Sequence, residues 1–142
     1  CCCDVLEHVD SVDQVIAEIS RVLRPGGVFF YDTINRTVRS KLIAIKVLQE
    51  WSWSSLMPPD LHDWSMFIKP EELTAILERK GLRPRDMVGM VPERHPLGLI
   101  KALRDRKKGK ISMSELGRLM RSKEGKDTSV SYMGFAVKRW GR

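Results

Sequence analysis

The sequence predicts an α/β domain whose sheet begins with parallel strands and closes with an antiparallel edge pair. Three observations carry this. An apolar run, Cys1 to Leu6, precedes a segment in which Val12, Val15, Ile16, Ile19, Val22 and Leu23 recur at helical spacing. Arg24-Pro25-Gly26-Gly27 then stops the helix, and Val28-Phe29-Phe30-Tyr31-Asp32-Thr33-Ile34 follows as a β-branched and aromatic run. Strand, helix, tight turn and strand form a βαβ unit, whose crossover demands parallel pairing. Late in the chain, Arg85 to Val91 and Thr128 to Arg139 read as two strands with a connection between them, which suits an antiparallel pair at a sheet edge.

The elements follow in order. Asp10 or Ser11 caps the first helix, with Asp13 in its first turn and Arg21 in its last, as the helix dipole favours. Thr37 to Trp51 is apolar and basic and reads as a helix; Pro58-Pro59 ends it. The loop Asp60-Leu61-His62-Asp63-Trp64 leads to Pro70, a good first helical residue, followed by Glu71 and Glu72. Leu73, Ile76 and Leu77 form the buried stripe of that helix, and Gly81 closes it. His95 to Lys108 and Ser114 to Arg121 read as helices joined at Gly109, and Ser122 to Asp127 as a polar loop.

Composition limits the function. A chain of 142 residues, 42% hydrophobic and 30% charged, is an ordinary globular domain, which excludes a disordered chain, a collagen-like repeat and a multidomain assembly. No run approaches the ~20 apolar residues of a spanning helix. The start, Cys1-Cys2-Cys3-Asp4, shows no basic leader, so a cytoplasmic location is expected, with no glycans or structural disulfides. Three adjacent cysteines offer neither a disulfide framework nor a zinc pair; they read as small apolar residues of a buried strand in a reducing compartment. Because the first residue is Cys inside a strand-like run, residues 1–142 are expected to be the C-terminal portion of one longer domain. The net charge of +7 is uneven: residues 1–35 carry −4 and residues 94–126 carry +8. That basic stretch reads as an insertion, and 36–69 as a lid and substrate segment.

Several side chains suggest chemistry. If the chain coils after the first strand, Asp4, Glu7 and His8 fall on one side, and two carboxylates with an imidazole suit a divalent cation, magnesium foremost. The alternative is that Glu7 only favours the following helix terminus and His8 only shapes a pocket. His62 and Asp63 lie on a loop beyond the strand ends, where His62 can contact a substrate hydroxyl with Asp63 orienting it, or the pair can simply stabilise the loop. Asn35 and Arg36 either line the pocket or cap the next helix. In 38–57, Lys and Arg with Trp51 and Trp53 suit a lid that also makes peripheral contact with the inner face of a membrane. Lys101 to Lys110 can meet lipid headgroups or RNA, or be a solvated surface; few aromatics interleave it, so nucleic acid is not expected.

The run Asp4-Val5-Leu6-Glu7-His8-Val9, a helix, Arg24-Pro25-Gly26-Gly27 and an aromatic strand resembles the second half of a class I S-adenosylmethionine-dependent methyltransferase, a Rossmann-like fold. Thr33-Ile34-Asn35-Arg36, His62-Asp63-Trp64 and Phe67-Ile68-Lys69-Pro70-Glu71-Glu72-Leu73 narrow the resemblance to the ubiquinone-biosynthesis O-methyltransferases. These comprise 2-polyprenyl-6-hydroxyphenol methylase and 3-demethylubiquinol 3-O-methyltransferase. The likeness spans Asp4 to Met90 and resumes at Ser131-Tyr132-Met133; residues 94–126 fall outside it.

The resemblance implies an enzyme that passes a methyl group from S-adenosylmethionine to a phenolic polyprenyl quinone precursor. It implies Cys3 and Asp4 beside the cofactor, largely through backbone, and a metal at Asp4, Glu7 and His8. It implies His8, His62 and Asp63 as catalytic residues, and Asn35, Arg36 and Trp64 as substrate contacts. The family's Gly-rich loop and its ribose-binding carboxylate are expected upstream of Cys1, so these residues alone should bind the cofactor weakly or not at all. Two rival functions remain: methylation of another small molecule, and a non-enzymatic basic module that binds membrane or nucleic acid.

Overall fold

The computed structural model describes residues 1–58 and 60–140. Pro59, half of the expected Pro-Pro helix stop, lies outside the described residues. Among the described residues, four strands form one sheet: β1 (Val28–Ile34), β2 (Leu82–Pro92), β3 (Ser122–Gly125) and β4 (Ser131–Lys138), in the order β1-β4-β2-β3. β4 runs antiparallel to both neighbours, with Val28 opposite Val137 on one side and Leu82 opposite Lys138 on the other. β1 and β2 are therefore parallel to each other across it. The expected antiparallel closing pair is β2 and β4. A bulge between Pro84 and Asp86 adjusts their register, as Pro84 in a paired strand requires.

The βαβ unit is present, but its first strand is shorter than the sequence suggests. Only Cys2 bridges, in parallel, to Tyr31: the Cys2 N–H donates to the Phe30 carbonyl at 2.9 Å, and the Asp32 N–H donates to the Cys2 carbonyl at 3.1 Å. The extended run then breaks at Asp4, whose φ of 51° lies in the left-handed region. A short 3₁₀ turn, Leu6–His8, follows. This also corrects the expectation of buried cysteines. Cys2 is half-buried, but Cys1 and Cys3 flank a single bridge and are exposed.

Helices α1 (Val12–Val22) and α3 (Pro70–Arg79) cover one face of the sheet. Ser11 caps α1 by accepting from the Gln14 N–H. Ile16 of α1 and Leu73 and Leu77 of α3 are fully buried against Phe29 and Tyr31 of β1, Leu82 of β2 and Tyr132 of β4. Each such Leu or Ile contributes roughly 1.5–3 kcal/mol by leaving water. Val22 departs from the expected stripe and is 66% exposed, because the helix ends beside it. Gly81, at φ 75°, turns the chain from α3 into β2.

The segment after β1 is helical as expected, but unevenly wound. Thr37 and Ser40 form a reciprocal cap on α2 (Val38–Ser40). The winding then loosens to a π-helix over Lys41–Glu50, closed by the Trp51 N–H donating to the Lys46 carbonyl at 2.8 Å. The basic insertion forms a hairpin of α4 (Pro96–Lys107) and α5 (Met113–Leu119). Ala102, Leu103 and Leu116 bury themselves against Val47, Leu48 and Leu56, so the hairpin packs on the π-helical segment and not on the sheet. The stretch expected as a polar loop, Ser122–Gly125, is instead strand β3, because the free edge of β2 supplies its ladder.

Candidate functional site

The site is built where β1 ends. Thr33 and Ile34 of β1, Val130 and Ser131 at the start of β4, the π-helix and the loop around His62 enclose a cavity of about 200 Å³. Asp4, Asp32, Ile43, Met57 and His62 also line it. Open α/β sheets take ligands beyond the carboxyl ends of their strands, and this cavity has that position. A second cavity of about 270 Å³ lies over Phe30, Met133 and Phe135, with Cys3, Asp32 and Asp86 among its polar walls. Asp32 is common to both.

His62 is held through its backbone. Gln49, itself buried in the π-helix, accepts from the His62 N–H at 2.9 Å and donates to the His62 carbonyl at 3.3 Å. The ring meets Phe67 edge-on at 6.0 Å, and its buried Nδ1 has no hydrogen-bond partner. Burial, then the charge of His8, pushes its pKa below the ordinary imidazole value. His62 is therefore a neutral imidazole at neutral pH. The His8 ring lies 5.0 Å from it, centre to centre. The structure thus brings the two expected catalytic histidines together.

The other expected site residues divide. Asp63 does not orient His62: its Oδ1 accepts from the Ser65 N–H at 2.8 Å and the Ser65 hydroxyl at 2.7 Å, which caps the 3₁₀ turn Trp64–Met66. Trp64 donates its Nε1–H to the Thr37 carbonyl at 2.9 Å, and Lys41 lies over its ring at 4.6 Å. Arg36 pairs with Glu72 and donates to the Phe67 carbonyl at 3.2 Å, pinning the His62 loop to α3. Asn35 is buried and donates to the Thr128 carbonyl at 2.8 Å; its Oδ1 has no partner. Thr37, not Asn35 or Arg36, caps the next helix. Trp64, Arg36 and Asn35 therefore build the loop and do not line the cavity that His62 faces.

Asp4, Glu7 and His8 do not converge. Among the described residues, no group of three or more His, Cys, Asp and Glu side chains is placed to hold a metal ion. Glu7 is 1% exposed and turned inward, where its Oε2 accepts from the Thr33 hydroxyl at 3.0 Å. Its Oε1 is buried without a partner, and burial raises the pKa of the carboxyl. His8, one residue on in a 3₁₀ turn, is exposed and faces His62. The tight turn sends the three side chains different ways, so these residues do not fit a shared cation.

The expected cofactor residues adjoin Asp32. The Asp4 N–H donates to the Asp32 Oδ1 at 3.0 Å. Cys3 stands beside the same carboxylate, whose hydrogen bond and charge raise the pKa of the thiol. Sequence reasoning missed Asp32 and Gln49. The signal for Asp32 was a lone acid inside an apolar strand; Gln49, inside an amphipathic helix, gave none.

The family model described as a methyltransferase domain matches residues 1–87, more than half of the chain. The chain belongs to the methyltransferase domain family. Its likeness to curated family members is substantial but partial. It is 38% identical over 89 residues to the ubiquinone biosynthesis O-methyltransferase of Thiobacillus denitrificans, covering 63% of this chain and 38% of that protein. To the ubiquinone biosynthesis O-methyltransferase of Methylobacterium sp. it is 42% identical over 105 residues, covering 72% of this chain and 40% of that protein. The chain thus spans about two fifths of the length of these relatives. Among solved structures, the [4+2]-cyclase SpnF aligns over 99% of this chain and 48% of its own, with a TM-score of 0.49 and 16% identity.

Proposed function

We propose that the protein built on this domain is an S-adenosylmethionine-dependent O-methyltransferase acting on a phenolic polyprenyl quinone precursor in ubiquinone biosynthesis. The observation that carries the reading is the His8–His62 pair at a cavity beyond β1, with a neutral His62 in its lining. The names of the curated relatives support the same chemistry.

The residues suggest how the chain would take part. A phenol has a pKa near ~10, so little phenolate is present at neutral pH. His62, neutral and lining the cavity, accepts the phenolic proton as the oxygen forms its bond to the methyl carbon. Burial first, and the charge of His8 second, lower the pKa of His62, which keeps it unprotonated and ready. S-adenosylmethionine, when bound, supplies the electrophilic methyl and leaves as the thioether. Cys3, Asp4 and Asp32 fit one wall of its site: an exposed strand end, a left-handed backbone turn and a carboxylate shared by two cavities. No step is assigned to a metal, since Asp4, Glu7 and His8 point apart.

Isothermal titration of S-adenosylmethionine into the intact protein, followed by chromatography of the methylated product, tests the reading. Binding and methylation of a polyprenyl catechol are expected. A folded, intact protein that neither binds the donor nor methylates would overturn it. Methylation of only non-prenylated acceptors would move the substrate to another small molecule.

A further inference from the structure

The loop that carries His62 is held at one point. The chain turns at Asp60, whose φ is 63°. Two hydrogen bonds then fasten it, and both come from one side chain. Gln49 accepts from the His62 N–H at 2.9 Å and donates to the His62 carbonyl at 3.3 Å. Among the described residues, no other hydrogen bond ties 60–62 to a neighbouring element. A side-chain amide carries one acceptor oxygen and a donor nitrogen on the same plane. Gln49 therefore meets the backbone of His62 as an opposed residue does in an antiparallel pair, exchanging both bonds.

Gln49 can serve as a fixed point because its own surroundings are fixed. It is 7% exposed, and Ala44 and Ile45 of the same π-helix are buried with it. Its neighbours are bonded to the chain that follows. The Leu48 carbonyl accepts from the Leu56 N–H at 2.9 Å and the Met57 N–H at 3.1 Å, and the Ser54 hydroxyl donates to the Val47 carbonyl at 2.6 Å. Val47 and Leu48 also pack on the core of the α4–α5 hairpin, while Leu48 lines the cavity with His62. A buried amide is costly unless it is paired, and here its pairing is spent on the backbone of one residue.

We infer that Gln49 is a positioning residue for methyl transfer, setting where the His62 imidazole stands in the cavity without touching the substrate. The inference rests on the reading of His62 as the proton acceptor. The two bonds fix the His62 backbone, and contacts with Phe67 at 6.0 Å and His8 at 5.0 Å fix its ring. A proton acceptor must come within about 2.6–3.2 Å of its target, directly or through one water. A displacement of about 1 Å from that geometry can cost about 100-fold in rate.

The test compares Gln49→Leu and Gln49→Glu in the intact protein, with far-UV circular dichroism to check the fold. Gln49→Leu removes both bonds and should lower kcat roughly 100-fold, while the Kd for S-adenosylmethionine in isothermal titration stays at the wild-type value. Gln49→Glu keeps an acceptor for the His62 N–H and should recover part of the loss. A second readout needs no turnover: diethyl pyrocarbonate should acylate His62 faster in folded Gln49→Leu, with the site located by mass spectrometry. The exposed His95 should react at the wild-type rate and serves as the internal reference. A folded Gln49→Leu protein with wild-type kcat, or with unchanged acylation of His62, would overturn the inference. So would an equal fall in donor affinity and kcat, the mark of a general disturbance of the domain. A wild-type protein without methyl transfer would instead overturn the reading of the function itself.

Discussion

The sheet-backed layer and the α4–α5 hairpin bury their helices in different ways, and the difference follows the limit of the segment that the family model matches. Helices α1 and α3 pack on three strands, sharing one core that includes Phe29, Tyr31, Leu73 and Tyr132. The hairpin packs on another helix through Ala102, Leu103 and Leu116. The first region lies within the matched residues 1–87, apart from the strand that closes it; the second lies outside them. A core closed by long-range strand pairing should open globally, whereas a hairpin with a small core of its own should open locally.

Truncating one side chain in each region sharpens that contrast. Leu73→Ala should cost about 2–5 kcal/mol and lower the melting midpoint of the whole domain, because it leaves a cavity beneath the sheet. Leu103→Ala should cost less globally and show itself as faster amide exchange confined to residues 94–121. Equal exchange across the molecule in both variants would break the comparison.

A smaller effect comes from Glu7, at the boundary of core and site. Its carboxyl, raised by burial, holds its proton to higher pH in the folded chain than in the unfolded one. Its contribution is present below the ordinary carboxyl range and is lost as pH rises through the raised value. Glu7→Gln keeps a carbonyl oxygen for the Thr33 hydroxyl and should flatten that slope in thermal melts between pH 4 and pH 7 (roughly the span above the ordinary carboxyl value). An unchanged slope would mean that Glu7 titrates alike in both states.

Much of the fold is legible because buried elements print their period in the sequence. Ile16 and Ile19 mark α1, Leu73 and Leu77 mark α3, and Val28 to Ile34 marks β1. What is not legible depends on partners. Ser122–Gly125 carries no alternation and becomes a strand only because β2 offers an open edge. The run after Cys1 looks like a strand, but Asp4 leaves it at φ 51° to meet Asp32. The site shows the same limit. His8 and His62 were identifiable as imidazoles, but their approach to 5.0 Å depends on the long-range path of the chain. Asp63 looked like a partner for its neighbour His62, yet the local turn gives its carboxylate to Ser65. Glu7 looked like a metal ligand, yet a 3₁₀ turn in place of an α-helical one points it inward.

The most direct test is the pH dependence of methyl transfer by the intact protein, read as kcat/KM, with His62→Asn and His8→Gln beside it. If His62 takes the phenolic proton, the rate should rise with a midpoint below the ordinary imidazole value of ~6.5 and level off by about pH 7. His8→Gln removes a charge that lowers the His62 pKa, so it should move that midpoint to higher pH. His62→Asn should lose about 10²–10⁴ in rate and abolish the limb. A His62→Asn enzyme that kept both the rate and the limb would contradict the account.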